Sequence, residues 1–103
     1  MHTIEFYKND TVATIELNRE AMAILGDDTD GFVDIIRNVD TVDISILLKA
    51  ESDDRTRVSL RSKGADVNAI AARFGGGGHI RAAGCTINLP LTETKRVLIE
   101  AIK

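Results

Sequence analysis

The residues best suited to chemistry stand in one stretch, Phe74-Gly75-Gly76-Gly77-Gly78-His79-Ile80-Arg81-Ala82-Ala83-Gly84, which holds five of the eight glycines, one of the two histidines and an arginine. Four consecutive glycines weaken any helix or strand they interrupt, because each loses the most backbone entropy on ordering. What they offer in return is backbone N–H groups at residues 76–78 that can turn toward a ligand with no Cβ in the way, an anion-binding concavity. His79 is expected to open a further helical turn, closed by Gly84, and a helix N-terminus favours phosphate or carboxylate. Arg61 and Lys63 leave the end of a preceding strand and can complete a basic pocket, the first with a planar fork and the second as a point charge.

Other chemistries lack parts. A P-loop needs a lysine and a hydroxyl after its last glycine, where this chain has His79-Ile80, and a dinucleotide fingerprint needs a strand before the glycines, where a helix is expected. Metal hydrolysis needs clustered His and carboxylate ligands, and no acidic cluster follows Asp66 to join His79. Cys85 alternates with Ile87 and Leu89 on a core face and reads as an inert, buried thiol. The chain is therefore expected to bind and to carry no catalytic residue of its own.

The elements that must position these residues follow from hydrophobic period. Thr3–Tyr7 and Val12–Leu17 alternate as a strand pair around the turn Lys8-Asn9-Asp10. Asn18 caps a short helix over Arg19–Leu25, and Phe32, Ile35, Ile36 and Val39 mark the core stripe of a second helix. Residues 42–50 alternate as a strand in which Leu47 lies on the minority face, which predicts burial on both sides and a central place in the sheet. Thr56–Ser62 return antiparallel, with Val58 and Leu60 on one face and Arg57, Ser59 and Arg61 on the other. Asp66 caps a helix over Val67–Phe74, a last strand runs through Cys85, Ile87 and Leu89, and Thr92 caps a C-terminal helix after Pro90. The expected fold is α/β: a single domain over residues 1–103, with a mixed sheet of about five strands flanked by helices.

Composition agrees with such a fold, with 44% hydrophobic and 28% charged residues in 103. There is no apolar run of membrane-spanning length and no basic-then-apolar N-terminus, and Cys85 is the only cysteine, so a soluble cytoplasmic protein with no membrane partner is expected. The net charge of −3 hides an asymmetry: residues 1–54 carry a balance of −9, residues 55–81 one of +5 and residues 82–103 one of +1. Arg55, Arg57 and Arg73 read as solvated surface charges. Phe6, Tyr7, Phe32 and Phe74 are the four aromatics, too few for a platform that stacks single strands.

Ser59-Leu60-Arg61-Ser62-Lys63, followed by Ile70-Ala71, by Phe74–His79 and by Ala82-Ala83-Gly84, closely resembles the DHH-associated C-terminal domain of DHH-family phosphoesterases. Within that family the likeness is greatest to the bacterial bifunctional oligoribonuclease and 3′-phosphoadenosine-5′-phosphate phosphatase group, and it extends upstream through Asp30-Gly31-Phe32-Val33. The resemblance implies a division of labour. An N-terminal domain in cis carries the DHH motif and the aspartates that hold manganese, and the C-terminal domain closes over the cleft and grips the substrate. By position, Gly76, Gly77, Gly78 and His79 would contact the phosphate near the metals. Arg61, Ser62 and Lys63 would hold a more distant phosphate, which favours short RNA or a nucleotide phosphate as substrate. Arg81 falls at a variable position of the motif. Neither a DHH triplet nor the metal-binding aspartates occur here, so the resemblance places catalysis and cofactor on a domain outside these residues. Two other readings stand beside it: an RNA-binding module like the alanyl-tRNA synthetase C-terminal domain, and part of a cyclic-dinucleotide phosphodiesterase. An arginine-proline after the glycines would have favoured the synthetase; the histidine with its Ala-Ala-Gly sequel favours the phosphoesterase.

Overall fold

The computed structural model describes residues 2–25 and 41–102. Strands β1 (His2–Tyr7) and β2 (Val12–Leu17) form the expected hairpin, with His2 opposite Leu17. Its turn holds Lys8, Asn9 and Asp10 at φ of 56°, 57° and 64°. Asn and Asp tolerate this left-handed region better than other side-chain-bearing residues. Asn18 then caps α1 (Arg19–Leu25), accepting the Ala21 N–H at 2.9 Å. The second helix read from Phe32 to Val39 lies outside the described residues.

Strand β3 (Ile44–Ser52) runs parallel to β2, with Ile44 opposite Val12, and β4 (Arg55–Ser62) returns beside it antiparallel. After α2 (Val67–Ala72) come β5 (Gly77–His79), β6 (Ala82–Ile87) and α3 (Leu91–Ala101). The six strands lie in the order β1-β2-β3-β4-β6-β5, one more than the pattern predicted. The extra strand is β5, in the glycine run itself.

Each face of this sheet has its own core. On one, Ile44, Ile46, Leu48, Val58, Leu60, Ala83, Cys85 and Ile87 pack against Val67 and Ala71 of α2 and Leu98 of α3. On the other, Ala13, Ile15, Leu17 and Leu47 pack with Val42 and with Ala21 of α1. Leu47 is fully buried there, so β3 is enclosed on both sides, as its minority-face leucine predicted. One of the two later helix starts differs in detail from expectation. Asp66 does cap α2, accepting the Ala69 N–H at 3.0 Å, but α3 begins at Leu91, behind a Pro90 that offers no side-chain cap. Thr94, one turn in, reaches back instead, donating to the Leu89 carbonyl at 3.1 Å.

Lys95 fastens α3 to the first hairpin. Its side chain is only 19% exposed, and the ammonium donates to Glu16 at 3.0 Å and to Glu5, which also accepts from the Tyr7 hydroxyl. The hydrogen bond from Lys95, then that from Tyr7, holds the Glu5 carboxyl below its ordinary value. A carboxylate with a depressed folded pKa adds stability above its unfolded value, about 4.3, and that contribution is lost as pH falls through the folded value. Urea unfolding at pH 7 and pH 3 should therefore show a larger loss for the natural chain than for Glu5→Gln. Equal losses would mean that Glu5 contributes nothing to acid sensitivity.

Candidate functional site

The glycine run sits at the outer edge of the sheet. Gly77 pairs with Gly84, Gly78 with Ala83 and His79 with Ala82, and residues 80–81 make the turn of a tight β5–β6 hairpin. This replaces the helical turn expected at His79, so no helix dipole points at that residue. Ala82 and Ala83 favour helix by propensity, but Ala83, Cys85 and Ile87 bury one face of β6 against α2, and pairing with β4 decides the outcome.

Three of the four glycines are required by the chain itself. Gly75 has φ +83° just beyond α2, a conformation that side chains rarely adopt. A Cβ on Gly76 would stand 2.2 Å from the Gly84 carbonyl oxygen and 2.6 Å from the Cys85 Cβ. On Gly78, at φ +150°, it would meet the Ala82 oxygen at 2.6 Å. Gly77 is different: the nearest atom to its Cβ position is Asn68 Oδ1 at 3.5 Å, an ordinary contact. The N–H groups are also less open than a free concavity would leave them. Those of Gly75 and Gly76 donate to the Ala72 and Ala71 carbonyls at 3.2 and 2.9 Å. Residues 77–79 join a ladder in which only alternate N–H groups face outward from an edge strand.

The cations come together through strand register. Arg61 lies opposite Ala82 on one side and His79 lies opposite it on the other, so the two stand two strand spacings apart, about 10 Å. The His79 side chain is exposed and makes no hydrogen bond among the described residues. Arg61 is half-buried and donates one N–H to the Leu60 carbonyl at 3.0 Å, which leaves most of its five donors for other partners. Lys63 is exposed just past β4, its backbone N–H held by Asp43. Ser62 stands apart from its neighbours. It is 2% exposed, its hydroxyl donates to the Ala65 carbonyl, and it faces the packed side of the sheet. It braces the loop that presents Arg61 and Lys63. Gly76, Gly77, Gly78, His79, Arg61 and Lys63 thus share one end of the sheet.

Sequence reasoning missed two residues here. Arg81 donates to the Gly64 carbonyl at 2.8 Å, and Asp43 accepts from Lys63, Gly64 and Ala65. Asp43 is twenty residues before Lys63 and no local pattern joins them. Extending the β3–β4 register one pair past Ile44–Ser62 would have brought them face to face. Burial by itself would raise the Asp43 carboxyl, but the three backbone N–H donors and the charge of Arg81 hold it below its ordinary value.

Cys85 is buried, and that burial pushes its thiol up, away from a reactive thiolate. Among the described residues no three of His, Cys, Asp and Glu gather to hold a metal, and no helix is long and apolar enough to cross a membrane. A cleft of about 440 Å³, lined by Asn18, Arg19, Ser52, Asp53, Pro90 and Thr92 among others, holds none of the predicted site residues.

The glycines make a stability series. Gly76→Ala and Gly78→Ala should each cost about 2 kcal/mol or more through overpacking, Gly75→Ala about 1–2 kcal/mol through its positive φ, and Gly77→Ala under about 1 kcal/mol. Urea denaturation of the four variants checks the order, and a Gly77→Ala loss as large as that of Gly76→Ala would overturn it.

Comparison with known proteins gives the family and the fold. Residues 11–103 match the DHHA1 domain family. The chain is 33% identical over its whole length to the bifunctional oligoribonuclease and PAP phosphatase NrnA of Thermus thermophilus, of which it covers 32%. It is 32% identical over 71 residues to the protein of the same name in Mycoplasma pneumoniae, covering 69% of this chain and 20% of that one. It thus spans about a third or less of the length of these relatives. Among solved structures, an exopolyphosphatase-related protein from Bacteroides fragilis superposes with a TM-score of 0.84 at 31% identity, over 95% of this chain and 30% of that one. The C-Ala domain of Aquifex aeolicus alanyl-tRNA synthetase shares the fold, with a TM-score of 0.65 at 13% identity over 97% of both chains. A hairpin of glycines closed against β6, beside an Arg-Ser-Lys strand end and on a six-stranded mixed sheet, belongs in this chain to the DHHA1 domain family.

Proposed function

We propose that this chain is the substrate-binding domain of a DHH-family phosphoesterase that acts on short oligonucleotides, on nucleotide phosphates such as 3′-phosphoadenosine-5′-phosphate, or on both. The observation that carries the reading is the register of Arg61 and His79 on either side of Ala82, at a strand edge with little side-chain bulk. The names of the relatives at 32–33% identity support it. In this reading His79, the outward-facing N–H of the glycine strand and the open floor at Gly77 meet one phosphate. Arg61 and Lys63 meet a second, about 10 Å away. Two anchors at that spacing favour a very short substrate, whose ends they would hold together.

Manganese, implied by the resemblance, finds no ligand set among the described residues. Our proposal assigns the metal and the bond-breaking step to a DHH domain joined in cis. The part played by this chain is to bind and orient the phosphates.

A tRNA-binding role rests on the likeness to the C-Ala domain, which is one of fold. Long RNA demands a broad basic surface, whereas this chain has a net charge of −3 and spreads most of its cations away from the glycine hairpin, where Arg61, Lys63 and Arg81 stand.

Binding of 5′-phosphorylated diadenylate and of adenosine monophosphate to this chain, followed by NMR amide shifts, tests the reading. Arg61→Ala should weaken the dinucleotide by about tenfold or more and the mononucleotide far less. Equal losses would count against a separate second phosphate. With added manganese the chain alone should hydrolyse neither ligand, and clear turnover would sink the divided site. In an enzyme that carries both domains, His79→Ala should lower turnover while leaving the unfolding midpoint nearly unchanged; an unaltered rate would make His79 structural.

A further inference from the structure

Lys63 and His79 reach the candidate site from two separate segments, the β4–α2 loop and the β5–β6 hairpin. What fixes one against the other is a closed set of hydrogen bonds beneath them. Asp43 Oδ1 accepts the N–H of Lys63 at 3.1 Å, of Gly64 at 2.7 Å and of Ala65 at 3.3 Å, and the Asp43 carbonyl accepts the Lys63 N–H at 3.0 Å. From the hairpin turn, Arg81 donates to the Gly64 carbonyl at 2.8 Å while its own carbonyl accepts the Ser62 N–H at 3.0 Å. The Ile80 carbonyl next to it accepts the Val67 N–H at 2.9 Å. Asp43 in turn is tied to the first hairpin, donating its N–H to the Thr11 carbonyl at 2.7 Å.

We propose that Asp43 and Arg81 are positioning residues: through Gly64 they lock the Lys63 loop to the His79 hairpin and so set the spacing of the two phosphate anchors. This rests on the phosphate-binding reading given above. A carboxylate that accepts three backbone N–H groups fixes a three-residue loop more firmly than any single contact would, and a charged acceptor makes each bond stronger. Burial and N–H donors act on Asp43 in opposite senses, and the net depression of its carboxyl shows that the donors prevail. Arg81, at a position that the family motif leaves variable, thereby gains a task that needs no contact with the ligand. On the loop side these bonds are made by the backbone of residues 63–65, and their partners are the Asp43 carboxylate and the Arg81 guanidinium, so the loop is held through those two side chains.

Affinity for 5′-phosphorylated diadenylate, measured on this chain together with its melting temperature, tests the assignment. Asp43→Ala and Arg81→Met should each weaken the dinucleotide about tenfold. Asp43→Asn, which keeps an oxygen acceptor for the three N–H groups, should recover most of that affinity. Arg81→Met removes an exposed side chain and is the variant to rely on if Asp43→Ala fails to fold. Unchanged affinity in folded Asp43→Ala or in Arg81→Met overturns the positioning role. A natural chain that fails to bind the dinucleotide overturns the phosphate reading itself, an outcome distinct from binding that the variants leave untouched.

Discussion

The architecture at the candidate site depends on one close approach, that of the backbone at Gly76 and Gly78 to the backbone of β6. A Cβ at either glycine would fall within 2.6 Å of a β6 carbonyl oxygen. Because both are absent, a short strand closes onto the sheet, the turn at residues 80–81 folds back toward α2, and His79 comes level with Arg61. With side chains at these two positions β5 would have to move away from β6, and His79 would lose its place relative to the cations of β4. The glycines therefore act first as a constraint on packing, and Gly77 alone remains without an internal reason to be glycine.

Much of the fold was legible because hydrophobic period decides it. Leu47 on the minority face of its strand predicted burial on both sides, and the structure gives it full burial in a second core. Asn18 and Asp66 cap the helices they were expected to cap. The glycine run was misread for a physical reason. Its local propensity is poor for helix and strand alike, and the alanines after it favour helix. Only pairing with a strand already in the sheet could decide between helix and strand. Thr92 was expected as a cap because of its type, whereas the chain begins α3 two residues earlier, behind Pro90, and uses Thr94 to reach Leu89.

At the candidate site, residue types were readable and their division of tasks was not. Histidine, arginine and lysine beside glycine pointed to an anion, and they do share one end of the sheet. Ser62 sits between Arg61 and Lys63 in sequence, but strand alternation turns it to the packed side, where its hydroxyl holds Ala65. Asp43 could not be seen at all, since its contacts depend on a hairpin register that a count of hydrophobic positions leaves open by a residue or two. The charge asymmetry gains meaning from the same topology. The acidic first half supplies Asp43, one carboxylate from that half that braces the basic block directly.

The link between Lys95 and Glu5 joins residues 90 positions apart. Contacts of such long range close a large loop, and they form late unless other structure has already brought the ends together. The first hairpin leaves the ribosome before the last helix, so its carboxylates wait for a lysine in that helix. During synthesis β1 is consequently a sheet edge with an unmatched cluster of negative charge beside it. That charge resists edge-to-edge association among nascent chains until α3 arrives and neutralises it.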